Sequence, residues 1–212
     1  IRLYDVCRKQ NNVFWIASSN GLIRFSPNSS DSNEIWKIFT HHEADPKSLS
    51  ENKLLTVCAD PKEPDRYLWI GTEGKGVERF TLSKETFEHI TEMDGLPNNV
   101  AYGILPDRQG NLWISTNRGL SCYTPRIDGY SKGVFRNFTK EDGLPGNEFN
   151  RYEFYQAPNY ELEFSGVNGG VRFLPEQILT VEKAVPVCFI SLHVNNKLVE
   201  VGDSPGILNK TI

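Results

Sequence analysis

One pattern in this chain is written three times, and it restricts the fold more than any other feature. It reads "NNVFWIASSNGLIRF" from Asn11 to Phe25, "DRYLWIGTEGKGVERF" from Asp65 to Phe80 and "DRQGNLWISTNRGLSCY" from Asp107 to Tyr123. A single active site has no need of three copies, whereas a repeated structural unit does. The copies align on Trp15, Trp69 and Trp113, with 54 residues from the first to the second and 44 from the second to the third. Periods of roughly 40 to 50 residues belong to solenoids, propellers or arrays. The segment "NLWIST" alternates and is rich in β-branched and aromatic residues, so it reads as a strand. No stretch sustains apolar spacing of 3.6 residues, which excludes helical repeats. Four short strands per repeat is the pattern of a β-propeller blade.

The third copy can be laid out strand by strand. Val100 to Leu105 is the first strand and Leu112 to Thr116 the second. Between them, Asp107 to Asn111 is a tight turn with Gly110 free to take positive φ. Asn117-Arg118-Gly119 turns into a third strand, Leu120 to Tyr123, and Phe135 to Thr139 is the fourth. "DGLPNN" (Asp94 to Asn99) leads into this unit and "EDGLPGN" (Glu141 to Asn147) out of it. Both faces of a blade pack on neighbouring blades, so the three tryptophans read as inter-blade core. A fourth copy, "NYELEFSGVNGGVRFLP" (Asn159 to Pro175), keeps the hairpin glycines Gly169 and Gly170 but has Glu163 at the tryptophan position. It also lacks an obvious fourth strand. Beyond it, Val187 to Val194 alternates like a strand, Asn195-Asn196 turns, and Leu198 to Val201 is its expected partner.

The expected fold class is therefore all-β, with about four propeller blades over residues 1–184. Their approximate bounds are 1–45, 46–94, 95–143 and 144–184. With Gly 17 and Pro 12, turn formers are plentiful, as such a fold requires. The net charge of −4 shows no basic stripe, which argues against nucleic-acid binding. No apolar run reaches the roughly 18 residues of a membrane span. The chain starts inside a strand-like segment, as a piece of a longer protein would. Cys7, Cys58, Cys122 and Cys188 each sit in an apolar strand pattern and contain no CxxC pair. They read as free, buried thiols and not as disulfide or zinc ligands.

The stretch "DGLPNNVAYGILPDRQGNLWISTNRGLSCYTP" (Asp94 to Pro125) resembles the two-component regulator propeller repeat. "HHEADPKSLSEN" (His41 to Asn52) resembles the alternative inter-blade loop of that family, and Asp142 to Ile178 its last blade. "VPVCFISLHVNNKLVEVGD" (Val185 to Asp203) resembles the opening of the Ig-like three-tyrosine domain that follows, which assigns 185–212 to the first strands of an Ig-like β-sandwich. The resemblance implies an extracytoplasmic, periplasmic sensor region of a hybrid two-component histidine kinase. Such a region reaches the membrane only through the parent chain. It is non-catalytic, with an oligosaccharide as ligand, and it signals by ligand-biased domain placement.

Candidate chemistry is sparse. His41, His42, Glu43 and Asp45 are dense in metal-ligand types, but neighbouring histidines on an extended loop point apart, so this reads as a solvated loop. His89 and His193 are isolated. No G-x-S-x-G elbow is present. "GTEGKG" (Gly71 to Gly76) leads into a strand, not the helix N-terminus of a phosphate loop. No cofactor, metal or catalytic residue is assigned. The innermost strands align Tyr4, Leu55, Tyr102 and Tyr152 near the axial channel. Asn150 and Arg151 adjoin Tyr152, and Arg118 and Asn168 occupy equivalent turns. Aromatic faces flanked by amide and guanidinium donors suit a glycan, so Tyr4, Tyr102, Arg118, Asn150, Arg151, Tyr152 and Asn168 form the candidate ligand site. The alternatives are a protein-interaction propeller and a propeller lyase or lactonase. Self-association through open blade edges or through the Ig-like segment is the other expected contact.

Overall fold

Each copy of the repeat folds as an antiparallel meander. The first sheet contains β1 (Leu3–Arg8), β2 (Phe14–Ser18), β3 (Gly21–Phe25) and β4 (Trp36–Phe39). The second contains β5 (Leu54–Ala59), β6 (Tyr67–Thr72), β7 (Val77–Thr81) and β8 (Thr86–Ile90). The third contains β9 (Ala101–Pro106), β10 (Leu112–Thr116), β11 (Gly119–Thr124) and β12 (Val134–Phe138), within one residue of the predicted bounds. The fourth has three strands, β13 (Phe149–Gln156), β14 (Leu162–Gly166) and β15 (Gly169–Phe173), followed by the single-turn helix α1 (Pro175–Leu179). This is a computed structural model, and it describes residues 1–9, 12–126, 132–179, 192–194 and 197–199.

The sheets stack through the repeated tryptophan. Trp15 packs with Leu54, Val57, Leu68 and Ile70 of the second blade. Trp69 packs with Ala101, Ile104, Leu112 and Ile114 of the third. Trp113 meets Phe173 of the fourth at 4.7 Å between ring centroids. All three tryptophans are buried, as their place in the pattern requires. Two of the indole N–H groups also have a carboxylate to donate to. Trp69 Nε1 donates to Asp60 at 2.8 Å, and Trp113 Nε1 donates to Asp107 at 3.1 Å.

A second repeated device joins consecutive blades. The glycine opening each third strand, at 21, 76 and 119, donates its amide hydrogen to the carbonyl of Asn52, Asn99 or Asn147, each at 2.7 Å. The side chains of these asparagines accept from the backbone of His41, Glu92 and Lys140. One residue type thus ties a hairpin of one blade to the connection leading into the next. It also explains why "LSEN", "LPNN" and "LPGN" are equivalent. At Gly21, Gly76 and Gly119, φ is +102°, +87° and +103°, and an added Cβ would overlap the carbonyl oxygen of Phe39, Ile90 or Phe138.

Residues Ile1–Ile178 form one compact unit and Leu179–Ile212 a second. In the second, β16 (Leu192–Val194) and β17 (Lys197–Val199) pair antiparallel, with Val194 opposite Lys197. These two strands overlap the segments expected to pair, Val187 to Val194 and Leu198 to Val201, and Asn195-Asn196 lies outside the described residues. The rest of the expected Ig-like opening, Cys188 included, lies outside the described residues.

Candidate functional site

The four residues aligned from sequence occupy one structural position. Each lies three residues before the partner of the tryptophan site, since Cys7, Cys58, Leu105 and Tyr155 pair with Trp15, Trp69, Trp113 and Glu163. Each also falls where the inner strand bulges. Tyr4, Leu55 and Tyr102 are skipped by the register of β1, β5 and β9. In β13 the break is wider, running from Phe149 to Phe154. A bulge removes a residue from the ladder and re-aims its side chain. Tyr152 goes furthest, with φ of +64° and 56% exposure. Such a left-handed conformation costs a bulky residue about 1–3 kcal/mol.

The bulges bring Tyr4 and Tyr152 together from the first and fourth blades, with ring centroids 6.1 Å apart and planes tilted by 34°. Arg151, the chain neighbour of Tyr152, forms an ion pair with Glu73, which also pairs with Lys53. Burial pushes the Glu73 carboxyl up, but the two cations outweigh it and hold the group below its ordinary range. Tyr102 donates its hydroxyl hydrogen to Asn117 at 2.6 Å. Asn150 donates to Glu153 at 3.2 Å. Leu55 is buried and contributes no polar group.

Arg118 and Asn168 do stand in equivalent turns, each directly before the glycine that opens the third strand. Both are exposed, and no hydrogen bond or ion pair links either to the tyrosine pair. The sequence reading missed Glu73, Lys53 and Asn117. Glu73 and Asn117 both directly follow the second strand of their blade, so aligning those turns, and not only the inner strands, would have found them. The "GTEGKG" segment does bind an anion, but from its own chain. Gly74 and Lys75 donate their amide hydrogens to Glu51 at 2.6 and 3.0 Å.

Other candidates resolve into structural roles. His41 and His42 are exposed, with His41 Nδ1 2.5 Å from the Leu49 carbonyl oxygen. His89 pairs with the fully buried Glu78 at 2.5 Å. Cys7, Cys58 and Cys122 are free thiols, and burial pushes Cys122 up to about 12. Among the described residues no three His, Cys, Asp or Glu side chains gather into a metal site. No described helix is long and apolar enough to cross a membrane.

Comparison with known proteins agrees with this architecture. The two-component regulator propeller family matches residues 95–118. Histidine kinase P4 of Formosa agariphila is 29% identical over 134 residues, which cover 63% of this chain and 9% of that protein. The extracellular domain of the hybrid two component system BT3049 from B. thetaiotaomicron superposes with a TM-score of 0.65 at 20% identity, covering 83% of this chain and 22% of that one. The corresponding domain of BT4673 gives 0.62 at 23% identity, with 83% and 24% covered. Residues 95–118 thus match one two-component regulator propeller repeat, and the chain, which spans about a quarter or less of the length of these proteins, shares its fold with the extracellular domains of hybrid two-component systems.

Proposed function

We propose that this chain is part of the extracytoplasmic, periplasmic sensor region of a hybrid two-component histidine kinase, and that it binds an oligosaccharide without catalysing a reaction. The reading rests on the Tyr4–Tyr152 pair beside Arg151 and Glu73. Two aromatic rings, with the Arg151 guanidinium one residue along the chain from Tyr152 and its Glu73 partner, offer stacking together with a donor and an acceptor, the combination a sugar uses. The strained, exposed Tyr152 is held where it gains nothing for the core. Occupation of this site would change the placement of the propeller relative to an Ig-like segment over 185–212, and so bias the kinase. Calorimetric titration with neutral and acidic oligosaccharides tests the reading. Saturable binding that Tyr152→Ala weakens at least tenfold supports it. Binding that Tyr152→Ala and Arg151→Gln leave unchanged refutes this site.

A second reading, self-association, draws on a different observation. The outer face of the first blade carries the cross-strand row Val6, Ile16, Ile23 and Ile38, of which Ile23 is itself buried, next to Phe14, Phe25 and Trp36. Val6, Trp36 and Ile38 are 57%, 56% and 47% exposed. An apolar patch of this kind recruits a partner. A dimeric mass that Trp36→Glu makes monomeric would favour it.

A further inference from the structure

The seam between the second and third blades holds a charge cluster at the opposite end of the strands from the tyrosine pair. The loop joining β5 to β6 meets the turn joining β9 to β10 there, and the end of β11 closes the side. Together they enclose a cleft of about 110 Å³. Its walls carry four cations, Lys62, Arg66, Arg79 and Arg126, against two carboxylates, Asp60 and Glu63. The chain as a whole has a net charge of −4, so this local excess runs against the composition.

The carboxylates are already engaged. Asp60 accepts from Trp69 Nε1, and from the amides of Lys62 at 2.9 Å and Glu63 at 2.8 Å. Glu63 pairs with Arg66 at 3.0 Å, and Arg79 pairs with Glu88 at 2.6 Å. Each of these pairs uses one nitrogen of a guanidinium that has five donors. Both guanidinium groups lie 4.9 Å from the Tyr67 ring centroid, which holds them in place. Lys62 is fixed differently. Its stem lies across Gly110, where an added Cβ would overlap it. Among the described residues Lys62 and Arg126 have no ion-pair partner.

The preceding seam serves as an internal control. The equivalent cleft between the first and second blades is lined by Lys9 and Arg24 against Asp65 and Glu85, two charges of each sign. Lys9 pairs with Asp65, Arg24 with Glu34 and Lys37 with Glu85. In both seams the arginine Nε, of Arg24 or Arg79, is buried without a partner. That orphan belongs to the repeat and does not make a site. What sets the second seam apart is the surplus of positioned cations.

We propose that this seam binds an oxyanion, the sulfate or carboxylate group of a ligand, distinct from the axial tyrosine site. Guanidinium forks match such groups through paired N–H donors, and Lys62 and Arg126 supply charge that no carboxylate among the described residues neutralises.

The test is an NMR titration of the full 212-residue chain, following the Gly110 amide and the Arg79 Nε–H. Sodium sulfate, and separately sodium acetate, is added at constant ionic strength set by sodium chloride. The expected result is a saturable shift with at least one of the two anions. Sulfate alone would identify a sulfate-type group, and acetate a carboxylate. Arg126→Gln and Lys62→Gln, both exposed and unpaired, should each weaken binding at least fivefold. Lys140→Gln, an exposed cation elsewhere, should leave it unchanged. Shifts that fail to saturate with either anion, or an equal loss in Lys140→Gln, would overturn the proposal.

Discussion

Arg151 on the fourth blade pairs with Glu73 on the second, 78 residues away in the chain. The pair crosses the axial region and joins blades that share no sheet. Both groups are partly open to water, so its contribution to stability is about 0–1 kcal/mol. Arg151→Gln should therefore lower the melting temperature by no more than a few degrees. The Glu73 carboxyl sits below its ordinary range, so its contribution is present above the unfolded value near pH ~4.3 and is lost as pH falls through the lower folded value. Acid titration followed by circular dichroism should show wild type losing a small stability increment in that window. Glu73→Gln should not show it.

Gly119 and Gly143 have almost the same backbone, φ +103° and +102°, but different surroundings. An added Cβ overlaps the Phe138 carbonyl at Gly119, whereas nothing lies within 4 Å at Gly143. Gly143→Ala should cost only the left-handed penalty, about 1–2 kcal/mol. Gly119→Ala should cost about 3 kcal/mol or more, because the hairpin must also move away from Phe138. Urea denaturation of the two variants measures the difference. Equal losses would mean that the tie between blades contributes little.

His89 is raised above its ordinary value, first by its hydrogen bond to Glu78, with burial opposing. A raised histidine contributes stability that is complete below its unfolded value near pH ~6.5 and is lost as pH rises through the folded value. Melting temperatures measured between pH 6 and pH 8 should therefore fall as pH rises. Glu78→Gln should flatten that slope. It should also destabilise at every pH, because Ser50 donates to Glu78 through both its backbone and its hydroxyl.

The thiols should be inert in the native state. Burial raises Cys7, Cys58 and Cys122, the last to about 12. Alkylation with iodoacetamide at pH 8, followed by peptide mapping, should leave residues 7, 58 and 122 largely unmodified until denaturant is added. Rapid native labelling at Cys122 would contradict its packing.

The strands of the third blade were legible to within a residue, and the tryptophans, hairpin glycines and inner-strand alignment were legible as well. These are local properties. Side-chain alternation sets a strand, positive φ demands glycine, and a large apolar ring must leave water wherever its strand packs. The equivalence of Asn52, Asn99 and Asn147 could not be read from composition, because each acts across a blade boundary on a glycine tens of residues away. The candidate site divides in the same way. Sequence placed Tyr4, Tyr102 and Tyr152 at one register position, since that register repeats with the tryptophan. Only the tertiary structure showed that bulges free them from the ladder, and that Arg151 and Lys53 gather around Glu73. It also showed the positive surplus at the second seam. These depend on which strand ends meet when sheets stack around an axis, and stacking brings together residues that chain order keeps apart.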